Sequence, residues 1–64
     1  MDIIKRLAEK RRFIPLSQEF IADKLGVTLT TIHRWETGKR SIPLDMAVLY
    51  AEALGFELKL IVKE

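Results

Sequence analysis

The sequence predicts a mainly α-helical fold of four short helices closed by one C-terminal β-strand. Three observations carry that prediction. Apolar residues recur three and four positions apart through most of the chain, the period of helices with one buried face. Ser, Thr and Gly stand where those runs start and stop, as helix caps do. From residue 56 onward the period shortens to two, the signature of a strand.

Asp2 is placed to cap a first helix, in which Ile3, Ile4, Leu7 and Ala8 recur at helical spacing through about Arg11. Pro15 ends that segment. Ser17 is a good N-cap for a second helix, Gln18 to Leu25, with Ile21, Ala22 and Leu25 inward. Gly26 can adopt the left-handed conformation that stops a helix, and Val27 can plug the corner. Thr28 caps a third helix with Thr31, Ile32 and Trp35 inward, ending near Gly38. The turn KRSIP leads to a fourth helix from about Leu44 to Leu54, stopped by Gly55. In FELKLIVKE, Phe56, Leu58, Leu60 and Val62 alternate with Glu57, Lys59, Ile61 and Lys63. A fifth short helix is the competing reading, and the alternation disfavours it. Residues 1–55 thus form one domain and residues 56–64 a C-terminal tail, with no internal repeat or low-complexity stretch.

Composition narrows the function. An apolar fraction of 48% argues for a folded globule, and 64 residues bury only a modest core. Without Cys there are no disulfides or thiolate metal sites, and one His lacks suitably spaced carboxylates, so neither metal nor cofactor is expected. No nucleophile–base pair supports an enzyme. The apolar runs are too short to span a membrane. The charged N-terminus lacks the apolar core of a signal peptide, which predicts a cytoplasmic protein. Charge is uneven: residues 1–43 carry nine Lys and Arg against five Asp and Glu, whereas residues 44–64 carry two against four. A basic half suggests a polyanionic partner, although a charge run in a small domain is commonly only solvated surface. RNA binding would call for exposed stacking aromatics, and the aromatics here read as mostly buried.

Two short helices joined through Lys24–Thr28, with a Gly in the turn, make a helix-turn-helix. LSQEFIADKLGVTLTTIHRWETGKRSIP resembles the lambda-repressor-like (Cro/cI, XRE) helix-turn-helix family. The matching features are Ser17-Gln18-Glu19, Ala22, Leu25-Gly26-Val27, Ile32, Trp35-Glu36, Gly38-Lys39 and Ala51-Glu52-Ala53-Leu54-Gly55, over roughly residues 4–55. The resemblance implies a sequence-specific DNA-binding regulator, a repressor acting as a homodimer on a two-fold operator of double-stranded DNA.

The third helix would enter the major groove, where one face must be packed and the other free to read base edges. Leu29, Thr30, His33, Arg34 and Thr37 fall on the free face, and the resemblance gives Leu29, Thr30 and Arg34 the base-contacting positions. Leu29 departs from the frequent Gln or Arg and could meet a thymine methyl. Arg34 could grip guanine O6 and N7. Gln18, Thr28, Thr37, Lys39 and Arg40 match positions that touch the phosphate backbone. Trp35 reads as core; Lys10 and Arg12 read as solvated face. Glu36 matches a structural partner of Arg11, an ion pair that would hold the first helix to the end of the third. Pro15 stands where the family often has Gly. Because Pro forbids positive φ, the connection around Phe13 and Ile14 is expected to take another path.

Helix four is apolar on two sides. Leu44, Ala47, Val48, Ala51 and Leu54 form one stripe, and Met46, Leu49, Tyr50 and Ala53 a second. A helix apolar all round is buried on both sides. The second stripe, with Phe20, is therefore expected to lie in a dimer interface under a strand pairing across the two-fold axis through Phe56, Leu58, Leu60 and Val62. The tail resembles small regulators of the HipB and HigA antitoxin types. An antitoxin-like autoregulator with a toxin as protein partner stays open beside the repressor. So does a protein-interaction module that kept the fold, against which Arg34, Lys39 and Arg40 argue.

Overall fold

The apolar periodicity becomes a single core. Ile4, Leu7 and Ala8 of one helix, Ile21 and Ala22 of the next, Ile32 and Trp35 of the third, and Ala47, Tyr50, Ala51 and Leu54 at the end of the chain are all buried. The structure, a computed structural model, describes residues 3–59. Over them it contains α1 (Ile3–Phe13), α2 (Gln18–Leu25), α3 (Leu29–Glu36) and α4 (Leu44–Ala53). α2 packs on α3 and α4, and α1 closes the other side of the same two helices. Asp2, expected to cap α1, lies outside the described residues.

Local chemistry sets the helix ends. The Ser17 hydroxyl accepts from the Phe20 amide at 3.0 Å, and the Thr28 hydroxyl from the Thr31 amide at 3.1 Å, so each cap satisfies an amide that the helix leaves without a partner. Gly26 turns left-handed at φ +70°. Its amide and that of Val27 then close back on the Asp23 and Ala22 carbonyls. The same device recurs at Gly55, φ +85°, where the Phe56 amide returns to the Ala51 carbonyl at 2.9 Å.

The structure corrects four expectations. Leu44, assigned to the buried stripe, is 57% exposed because it opens α4, ahead of the turn that meets the core. Tyr50, assigned to the dimer stripe, has no exposed surface. It lies three residues from Ala47 and four from Leu54, on the inward side of α4. Pro15 does not divert the α1–α2 connection away from positive φ: it sits at φ +27°. The turn is pinned on both sides by Ile14 N–H to Lys10 O and Leu16 N–H to Arg11 O, each 3.0 Å. Phe13 is left exposed and Ile14 packs against the core.

The fourth correction concerns the tail. No strand forms among the described residues. Instead Phe56–Leu58 runs back along α1, where Phe56 and Leu58 share a groove with Ile3, Leu7 and Ala51. Leu58 packs against the core, and Lys10 Nζ lies 5.8 Å from the centre of the Phe56 ring. The segment has no ladder partner among the described residues, so its apolar side chains find the nearest open helix face. Leu60 and Val62 lie outside the described residues.

Two substitutions separate backbone from packing contributions. A Cβ on Gly26 would meet nothing within 4 Å. Gly26→Ala is therefore expected to cost only the left-handed penalty, about 1–2 kcal/mol. Ile32→Ala, which opens a cavity at a fully buried position, is expected to cost about 2–5 kcal/mol. Urea unfolding monitored by circular dichroism measures both.

Candidate nucleic-acid interface

A helix of eight residues is too short to persist alone in water, so the exposed face of α3 depends on how the helix is held. Its inward side chains, Ile32 and Trp35, are buried to 0% and 3% exposure. The Trp35 indole N–H finds no acceptor among the described residues. The opposite face carries Leu29, Thr30, His33 and Arg34, all exposed, as one stripe with Thr37 just beyond the helix end. Leu29 is 48% exposed, a large apolar side chain left in water at the start of the helix.

The backbone carries the chain past α3 in a tight turn. Gly38 takes φ +78°, and the amides of Lys39 and Arg40 both return to the Arg34 carbonyl, at 2.9 and 3.2 Å. Lys39 and Arg40 are thereby fixed beside the C-terminal end of α3, where cations are favoured by the helix dipole. Neither they nor Arg34 pairs with a carboxylate among the described residues. Two of the expected contact residues already use their hydroxyls inside the fold. Thr37 Oγ1 donates to His33 O at 2.8 Å, and Thr28 Oγ1 caps α3 while lying 2.8 Å from Thr31 Oγ1.

The acid in this region is enclosed. Glu36 Oε2 accepts from Arg11 Nε at 2.9 Å and from the Tyr50 hydroxyl at 2.5 Å. Glu36 Oε1 accepts from Arg11 Nη2 at 2.9 Å and from Gln18 Nε2 at 3.0 Å. Arg11 Nη1 donates to Leu16 O at 2.8 Å. One carboxylate thus gathers a donor from α1, α2 and α4 onto the end of α3, with its side chain only 5% exposed. Burial pushes the Glu36 carboxyl up, but the bonds from Arg11, Tyr50 and Gln18 outweigh it and hold the group below its ordinary value of 4.5. The bond to Glu36 raises Arg11 further. Burial first, then the bond to Glu36, pushes the Tyr50 hydroxyl well above its ordinary 10.0.

The residues expected at a dimer interface fall in two groups on the single chain. Phe20, Leu49 and Ala53 line a shallow groove with Lys24 and Glu52, while Phe56 and Leu58 lie against α1. Met46 is half-buried against the core. Tyr50 drops out because it is buried and bonded to Glu36. That role was signalled in the sequence by a Tyr at core spacing, since a buried phenol needs a hydrogen-bond partner. The Gln18–Glu36 contact had no such signal.

With this geometry in place, comparison with known proteins is decisive for the family. The helix-turn-helix family profile matches residues 16–61. The chain belongs to the lambda-repressor-like helix-turn-helix family. Among curated proteins, this helix-turn-helix chain is similar to the cryptic phage CTXphi transcriptional repressor RstR of Vibrio cholerae serotype O1, at 33% identity over 58 residues. The alignment covers 91% of this chain and 52% of the relative, so the chain spans about half the length of the curated relative it matches. No solved structure matches it significantly. The family is one of DNA-binding transcription regulators and not an enzyme class. Among the described residues no cluster of His, Asp and Glu could hold a metal ion, and no helix is long and apolar enough to cross a membrane.

The carboxylate network sets a pH window for this helix-turn-helix fold. In the unfolded chain Glu36 titrates near 4.5 and in the folded chain lower. Its contribution is therefore present above 4.5 and lost as pH falls through the folded value. Tyr50 titrates near 10.0 unfolded and higher folded, so its contribution is present below 10.0 and lost as pH rises above it. Stability is expected to fall at both ends, with the acid limb flattened in Glu36→Gln and the alkaline limb flattened in Tyr50→Phe. Glu36→Ala strands a buried guanidinium and is expected to cost about 3–5 kcal/mol. Thermal melts across pH check each.

Proposed function

We propose that this chain is a sequence-specific DNA-binding transcription regulator, a repressor that places α3 in the major groove and binds a two-fold operator as a homodimer. The observation that carries this reading is the character of the α3 face. Leu29, Thr30, His33 and Arg34 are exposed together, Lys39 and Arg40 stand beside them with no carboxylate partner among the described residues, and the nearby acid, Glu36, is sealed behind four donors. A polyanion approaching that face meets cations and no free carboxylate from this cluster. Arg34 reads a base through its planar fork, and Leu29 and Thr30 meet neighbouring base edges. Gln18, Thr28, Thr37, Lys39 and Arg40 fix the register on the phosphates, which carry most of the salt-dependent affinity. Thr37 gives up its bond to His33 O if its hydroxyl is to donate there.

The dimer part rests on apolar surface that one copy leaves open, with Leu49 42% and Phe56 46% exposed. A second copy related by a two-fold axis covers such surface on both subunits at once. The Phe56–Leu58 segment along α1 and the exposed Leu49 on α4 supply that contact, with the half-buried Phe20, Met46 and Ala53 at its margin. Two reading helices then lie about 34 Å apart, one turn of DNA.

Selection of bound duplexes from a random pool is expected to return a two-fold symmetric site. Affinity for that site should fall with salt at a slope of about −0.9 per phosphate neutralised. Arg34→Ala is expected to weaken binding and relax preference at one position per half-site, a loss of about 1–3 kcal/mol, whereas Lys39→Ala weakens selected and random duplexes alike. Sedimentation is expected to show a dimer for the full chain and a monomer after deletion of residues 57–64. Equal binding of all sequences at all salt concentrations overturns the regulator; a monomer at high concentration overturns the dimer.

A further inference from the structure

Tyr50 stands on α4, a helix with no place at the proposed DNA surface, yet its hydroxyl shares a carboxylate with a residue that has one. The Glu36 carboxylate has two oxygens and four donors, two on each: Arg11 Nε and the Tyr50 hydroxyl on Oε2, Arg11 Nη2 and Gln18 Nε2 on Oε1. A carboxylate can only accept. The Gln18 amide must therefore turn its NH2 group inward, with one N–H spent on Glu36 and the other left over. Gln18 is the first residue of α2. Ser17 already takes the Phe20 amide, while the amides of Gln18 and Glu19 belong to the helix start that has no internal acceptor. The spare side-chain N–H of Gln18 is thus held next to backbone donors suited to a phosphate oxygen. Glu19, in the same first turn, carries the opposing charge.

We propose that Tyr50 is a positioning residue for DNA binding: its hydroxyl fixes the Glu36 carboxylate, and that carboxylate fixes Gln18 in the orientation that meets a phosphate. Packing alone does not require the hydroxyl, since Phe fills nearly the same volume at this fully buried position. What the hydroxyl adds is the fourth bond. Without it Oε2 keeps only its Arg11 donor, and the carboxylate can tilt slightly against the Arg11 fork within the reach of those two bonds and shift the Gln18 amide with it. The route runs from α4 through α3 to α2 entirely by bonds of 2.5–3.0 Å. It rests on the reading that Gln18 touches a phosphate.

The test compares the full chain with Tyr50→Phe, Gln18→Ala, the double variant, and Leu54→Ala. Leu54 is buried on the same helix but makes no bond to Glu36. Each is titrated against a duplex selected by the unaltered chain, at fixed salt and at a temperature where melts show every variant folded. Tyr50→Phe is expected to weaken binding about three- to tenfold, the worth of one lost hydrogen bond. Gln18→Ala is expected to weaken it similarly, the double variant no further than Gln18→Ala, and Leu54→Ala to melt lower while binding as the unaltered chain does. Unaltered binding by Gln18→Ala removes the phosphate contact and the proposal with it. If Gln18→Ala weakens binding, the contact stands. The proposal alone then fails if Tyr50→Phe binds normally, if its loss is the same with and without Gln18, or if Leu54→Ala loses as much.

Discussion

Everything in this fold converges on the Glu36 carboxylate. It is the last residue of α3, and its four hydrogen-bond donors come from the other three helices. A charge taken out of water is costly unless its lone pairs are satisfied, and here they are. The bidentate Arg11 contact adds geometry to charge, because the planar guanidinium fork accepts one orientation of the carboxylate. A chain of this length has only about 3–10 kcal/mol of stability to lose. Breaking one buried pair therefore reaches a large share of it, and this network is the joint at which the helices are held in register.

The same joint shapes the surface. Lying 2.9 Å from Arg11, Glu36 projects little negative field toward the α3 face. Arg34, Lys39 and Arg40 remain as local cations, the last two anchored by amides that close onto the Arg34 carbonyl. Stability and recognition are coupled as a result. An eight-residue helix has no independent persistence, so the exposed stripe from Leu29 to Arg34 exists as a surface only while Ile32, Trp35 and Glu36 are seated. A substitution behind α3 can then alter what lies in front of it.

The apolar surplus has a different logic. The described residues do not cover both sides of α4, on which Leu44 and Leu49 are exposed. The molecule meets this in part by folding the tail back: Leu58 packs on the core and Phe56 lies under Lys10. Leu49 and Phe56 still remain open, and Lys24 over the Phe20 ring shields only one edge of the α2–α4 groove. This residue of unburied apolar area is what makes association with a second copy physically reasonable for so small a domain.

The caps and stops were legible in the sequence because they are local. Ser17, Gly26 and Thr28 act on amides and carbonyls within five residues, so residue type and spacing alone placed α2, its turn and α3. The exposed stripe of α3 followed from the same period, whereas the pairing of Arg11 with Glu36 came from the family resemblance and not from spacing. Tertiary structure decided the rest. Gln18 reaches Glu36 across 18 positions and Tyr50 across 14, distances at which sequence spacing carries no orientation. Tyr50 was therefore read as spare apolar surface when the core claims it. The tail's alternation of two was real, but alternation states only that every second side chain seeks a partner. Which partner is set by the nearest uncovered face, and over residues 56–58 that face is α1, which only the packed helices define.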